Sequence, residues 1–104
     1  NTFVSHQGLQ TWGAKQIAVF TVGTDYYVAV AGTALSGANV NTQIFKFSGT
    51  TFALFQSLNG LSALGIAHVD LTYNGFMTPF LIVSRERALG SLAGSGEVSV
   101  IKWD

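Results

Sequence analysis

The side chains of this 104-residue chain able to move a proton or hold a cation near neutral pH are His6, His68, Asp25, Asp70, Glu86, Glu97 and Asp104. Two carboxylates flanking a glycosidic bond would make an acid and base pair, and several converging ligands would make a metal site. The spacing supports neither. Asp25 falls in a turn, and none of the five carboxylates recurs at an equivalent place in the second half of the chain. His68 and Asp70 alternate along one strand face, where structural pairing is the expected role. No Gly-x-Ser-x-Gly elbow occurs, and Gly90 to Gly96 is rich in Gly and Ser without a phosphate-loop spacing. Without cysteine, Cys-based zinc sites and disulfides are excluded. The expectation is a protein that is not an enzyme, with no catalytic residue, no metal and no cofactor.

Recognition chemistry has better candidates. Trp12 precedes Gly13-Ala14 in a loop, and Arg85, Glu86 and Arg87 follow a strand end. An indole beside fixed polar donors suits the apolar face and hydroxyls of a sugar, and Arg is a common interface anchor. These four residues are the candidate ligand site, with packing between sheets as the other role open to Trp12. Gln7 and Gln56 recur in both halves, and bonds to neighbouring backbone are their expected use.

What must position these groups is a repeat. Residues 2 to 22 laid on 51 to 71 match at Thr2/Thr51, Phe3/Phe52, Gln7/Gln56, Leu9/Leu58, Ala14/Ala63, Ile17/Ile66 and Ala18/Ala67, seven identities in twenty-one positions. Chance gives about one. Further on, Tyr27 to Ala31 aligns with Phe80 to Ser84, and Ile44 to Phe47 with Val100 to Trp103. Residues 1–104 therefore form one unit of two repeats, about 2–49 and 51–104. A period near fifty residues points to arrays or propellers. Eight strands are expected, at about 2–7, 15–22, 25–31, 41–47, 51–57, 65–72, 79–84 and 96–103, with Asn74-Gly75 as a hairpin turn.

Ile17 to Val22 and Tyr26 to Ala31 are apolar or small at every position, as in strands covered on both faces. Propeller blades cover short antiparallel sheets in that way. The expected fold is all-β: two four-stranded antiparallel propeller blades per chain, the ring being completed by oligomerisation. Two blades alone would leave large apolar faces bare. A homo-oligomer follows, a trimer favoured and a tetramer the alternative, with residues 2–7 pairing onto the last blade of a neighbouring chain. Charged residues are only 10% of the chain against 48% apolar, consistent with surface hidden by other copies. A formal net charge of zero argues against nucleic acid or an anionic membrane surface as partner. No apolar run reaches the roughly 18 residues of a membrane span. The Asn at position 1 is expected to follow a removed leader in a secreted, extracellular protein, a fragment of a longer chain being the rival reading.

Phe52-x-x-Phe55-Gln56-Ser57-Leu58, Thr11-x-Gly13-Ala14, the run ending in Phe20, Tyr27-x-Ala29-Val30-Ala31 and Ile44-Phe45-Lys46-Phe47-x-Gly49 resemble the epilepsy-associated (EAR, or epitempin) repeat. The resemblance implies a secreted or cell-surface propeller that serves recognition. Where family members carry two acidic residues early in the first strand, this chain has Gln16 and Ala18 in one copy and Gly65 and Ala67 in the other, so the resemblance does not extend to those carboxylates. Two functions are weighed. A multivalent glycan-binding lectin ring gains avidity from repeated weak sites. A protein–protein recognition module, or a fragment of a larger extracellular EAR propeller, is the alternative. The partner is accordingly a glycan or a cell-surface protein.

Overall fold

A computed structural model of the chain describes residues 2–11, 13–32, 41–59, 63–85 and 98–104. Seven strands run in order: β1 (Ala14–Val22), β2 (Asp25–Gly32), β3 (Asn41–Phe47), β4 (Phe52–Asn59), β5 (Ala63–Tyr73), β6 (Phe76–Arg85) and β7 (Val98–Lys102). They form a four-stranded sheet, β1-β2-β3-β4, and a three-stranded sheet, β5-β6-β7, with every neighbour antiparallel. No helix occurs among the described residues.

The repeat is visible in the hydrogen-bond register. In the first sheet Phe20 faces Tyr27 and Tyr27 faces Lys46; in the second Val69 faces Phe80 and Phe80 faces Lys102, the positions that the sequence alignment equates. Even the irregularities repeat. The β1/β2 ladder skips Lys15 between Ala14 and Gln16, and the β5/β6 ladder skips Leu64 between Ala63 and Gly65, so both copies carry a bulge at one place. The copies differ at the hairpin tip. The first turns at Gly23-Thr24 between Val22 and Asp25, whereas the second continues two residue pairs further and turns at Asn74-Gly75. Those two have φ of 50° and 83°, the two left-handed residues that a two-residue turn matched to strand twist requires.

Strand β2 is buried on both faces from Tyr27 to Gly32, and its alternation separates two cores. Tyr27, Ala29 and Ala31 point to the face where Ala18, Phe20 and Ile44 meet Ile66, Leu81 and Val83 of the second sheet. Val28 and Val30 point the other way, with Phe45, and there Leu9 and Phe52 pack on them. The first core is sheet on sheet. The second has only one sheet.

Sheet contact is close where β1 passes β5. Gln16 Oε1 accepts a hydrogen bond from Ile66 N at 2.7 Å, crossing between the sheets. Room for that amide comes from Gly65, since a Cβ there would lie 2.8 Å from Gln16 Oε1 and 3.0 Å from Ser84 Oγ. Gln16 and Gly65 are equivalent positions of the repeat, so one copy supplies the amide and the other the notch.

The structure corrects two expectations. The second sheet has three strands, not four: residues 2–11 form no strand. A strand needs a ladder partner, and the segment instead lies beside the first sheet, whose four strands are already complete. Arg85 is the last residue of β6, opposite Ala63, and not part of a loop after the strand.

The notch has an energetic signature. Gln16→Ala should lower unfolding free energy in urea by about 1 kcal/mol through the lost bond to Ile66 N. Gly65→Ala should cost about the same by expelling the Gln16 amide, and the second substitution should cost almost nothing in the Gln16→Ala background. Additive effects in this double-mutant cycle would show that the two positions do not act through one contact.

Candidate functional site

Five rings connect the sheets. His68 of β5 stacks on Phe20 of β1 at 5.2 Å, Phe20 on Tyr27 of β2 at 5.3 Å, and Tyr27 meets both Phe55 of β4 and Trp103 edge-on at 5.2 Å. Phe55 and Trp103 then stack on each other, 5.7 Å apart and 9° from parallel. Centroid distances in this range are favourable beyond the area buried. The ladder runs from the well-buried Tyr27 to a Phe55 ring still 45% exposed.

At that exposed end a cleft of about 250 Å³ opens between the sheets, lined by Phe55, Gln56, Pro79, Lys102, Trp103 and Asp104 among others. Its chemistry is mixed: two aromatic faces, an amide, an ammonium and a carboxylate. Lys102 lies 4.5 Å over the Tyr73 ring and 3.8 Å from Asp104 Oδ1, a surface ion pair of little energetic weight. The Gln56 side-chain amide has no partner among the described residues. An apolar group framed by amide and backbone-like hydrogen bonding is what such a cleft can hold.

The histidines do bland work. His68 Nε2 lies 2.8 Å from Asp70 Oδ1, the pairing expected from their alternation. His6 Nε2 donates to the Thr50 carbonyl at 2.6 Å. Gln7 behaves as expected too: its Nε2 donates to Phe52 O at 2.7 Å and its Oε1 accepts from Phe52 N at 2.8 Å. That amide satisfies the donor and acceptor of one residue on the edge strand β4. Among the described residues no three His, Asp or Glu side chains gather as a metal site.

Of the sequence-derived ligand residues, Trp12, Glu86 and Arg87 lie outside the described residues. Arg85 is described, half-buried at the end of β6 remote from the Pro79 end that lines the cleft. The cleft was missed in the sequence because its walls come from separate repeats. One signal was present: Trp103 replaces Phe47, and Phe55 sits inside the repeated phrase.

The ladder should be graded in energy. Tyr27→Ala is expected to cost about 3–5 kcal/mol, the usual range for deleting a buried aromatic ring. Phe55→Ala should cost about 1 kcal/mol because half of its ring is still in water. Equal losses in denaturant titrations would contradict this burial gradient.

Comparison with curated proteins finds no match to the chain. Residues 2–48 match the family model described as the EPTP domain. The matched unit begins in the strandless segment and ends after β3, so it is offset by one strand from the first sheet, which closes with β4. Such a repeat implies a propeller-type protein–protein recognition module. Over that segment the chain matches the EPTP, or epitempin (EAR), repeat, in line with the resemblance read from its residues.

Proposed function

We propose that the chain is a non-catalytic protein-recognition unit of two propeller blades that acts outside the cell. The EPTP match over residues 2–48 carries this reading. The structure supports it with sheets stacked through apolar faces and with polar side chains spent on backbone contacts, such as Gln7 on Phe52 and Gln16 on Ile66.

The contact surface assigned to the partner protein is the tip of the β5–β6 hairpin. Its two extra residue pairs, Thr72–Met77 and Tyr73–Phe76, have no counterpart in the first copy, so stacking of the repeats does not require them. Phe76 and Met77 are 75% and 69% exposed. Aromatic residues and Met are enriched at protein interfaces, and Met adapts its shape to irregular partners. The lectin reading rested on Trp12 with Arg85, Glu86 and Arg87, and of these only Arg85 has a described place, away from the aromatic cleft.

Arrays of extracellular proteins and of glycans, probed with the intact chain and with Phe76→Ala/Met77→Ala, test the assignment. Protein hits that the double variant loses at unchanged native mass are expected. Specific glycan hits unaffected by the double variant would overturn the reading in favour of a lectin.

A further inference from the structure

The chain holds five asparagines, and two of them, Asn59 and Asn74, are followed by glycine. In such a pair the glycine nitrogen can close a five-membered imide onto the asparagine side chain, because glycine has no side chain of its own to hinder the approach. The sequence treats the two sites alike. The fold does not: Asn59 lies in β4, paired in the ladder opposite Asn41, whereas Asn74 and Gly75 are the whole of the β5–β6 turn. That hairpin ladder closes with Tyr73 opposite Phe76, so the Gly75 nitrogen lies beyond its last pair.

The surroundings of the turn leave it open to water. Every residue from Leu71 to Met77 is exposed, and no atom beyond its chain neighbours lies within 4 Å of where a Cβ on Gly75 would sit. The last side chain braced from its flanks is Tyr73, whose ring meets Phe80 edge-on at 6.1 Å and has Lys102 Nζ over it at 4.5 Å. Nearer the tip, Thr78 Oγ1 donates to Phe76 O at 3.1 Å. Asn74 is held at φ 50° in a left-handed turn, and imide closure needs its Cα–C bond to rotate out of that turn. The outermost pairs alone must open for this, and exposed tips with few buried contacts open most readily. Asn59 moves only with a strand of a four-stranded sheet.

We propose that Asn74 is a site of spontaneous covalent modification that dismantles the hairpin tip as the protein ages. The Gly75 nitrogen gives up its proton to solvent and attacks Asn74 Cγ; the N–Cγ bond forms, the Cγ–Nδ2 bond breaks, and Nδ2 takes up a proton and leaves as ammonia. Water then adds to one of the two imide carbonyl carbons and cleaves its bond to nitrogen, which recovers a proton while the new carboxylic acid loses one. Opening at Cγ gives aspartate at position 74 with an ordinary backbone. Opening at the main-chain carbonyl gives isoaspartate, whose backbone runs through the former side chain and is one methylene longer. Either product sets a carboxylate beside Phe76 and Met77. Isoaspartate also lengthens a turn whose geometry fits two residues, so Tyr73 and Phe76 lose their pairing. On the reading that this tip meets the partner protein, the modification ends the contact.

Peptide mapping by mass spectrometry, on the intact chain kept native in mildly alkaline buffer and on the same chain held in urea, tests the assignment. In the native protein Asn74 should convert about tenfold faster than Asn59, with isoaspartate at position 74, and in urea the two should convert at similar rates. Native conversion of Asn59 at the rate of Asn74 or ahead of it would overturn the proposal. Asn74→Gly keeps a turn that accepts two left-handed residues and has no amide to lose. Chymotrypsin should therefore cut the aged natural chain at Tyr73 and Phe76 several-fold faster than the fresh one, and aged Asn74→Gly no faster than fresh. Equal cutting of the aged and fresh natural chain would overturn the loss of the tip. The contact reading has a separate readout, since protein-array hits lost by Phe76→Ala/Met77→Ala should also be lost by the aged chain. Absence of any such hit refutes the contact and leaves the mapping result standing; hits kept by a fully converted chain would overturn the stated consequence.

Discussion

An antiparallel sheet that is apolar on both faces cannot be finished by its own strands. Water must be excluded from each face by something else, and on the inner face that something is the sheet of the other repeat. The consequence begins at the level of single residues. Tyr27, Ala29 and Ala31 look one way and Val28 and Val30 the other, and burial of both sets commits β2 to the middle of a stack. Each apolar side chain so covered contributes about 1.5–3 kcal/mol relative to exposure, so leaving one face open in a domain this small forfeits a large part of a marginal stability.

The details of the stack follow from closeness. Alanines at 18, 29, 31 and 63 let the sheets approach, and Gly65 opens the space in which the Gln16 amide reaches Ile66 N. This accounts physically for two departures from the family pattern. Where other members have a carboxylate early in the first strand, one copy here has a neutral amide and the other no side chain, and the two positions meet. A carboxylate at 16 would also accept from Ile66 N but would bring a charge into a half-buried seam beside Ser84 and without a cationic neighbour among the described contacts.

Much of the architecture was legible in the sequence because repetition amplifies weak signals. The strand cores, the Asn74-Gly75 turn and the two-faced burial of β2 all follow from residue pattern. The bulges at Lys15 and Leu64 did not show, since a bulge has no composition of its own and is set by ladder geometry. Residues 2–7 show the opposite failure: their sequence is that of β4, but a strand is a relation between two segments and this one pairs with no strand among the described residues. The aromatic cleft escaped notice for a similar reason, because Phe55 and Trp103 are distant in sequence and belong to different sheets. His68 and Asp70 were legible as a pair since period-two spacing alone sets them on one face.

The apolar residues on the outer face of each sheet call for cover beyond the two sheets themselves. Native mass measured by sedimentation velocity on the intact chain at micromolar concentration tests that most directly. The partly bare apolar outer faces predict a species heavier than a single 11.0 kDa chain. A folded protein that sediments as a single 11.0 kDa chain at all such concentrations would contradict it.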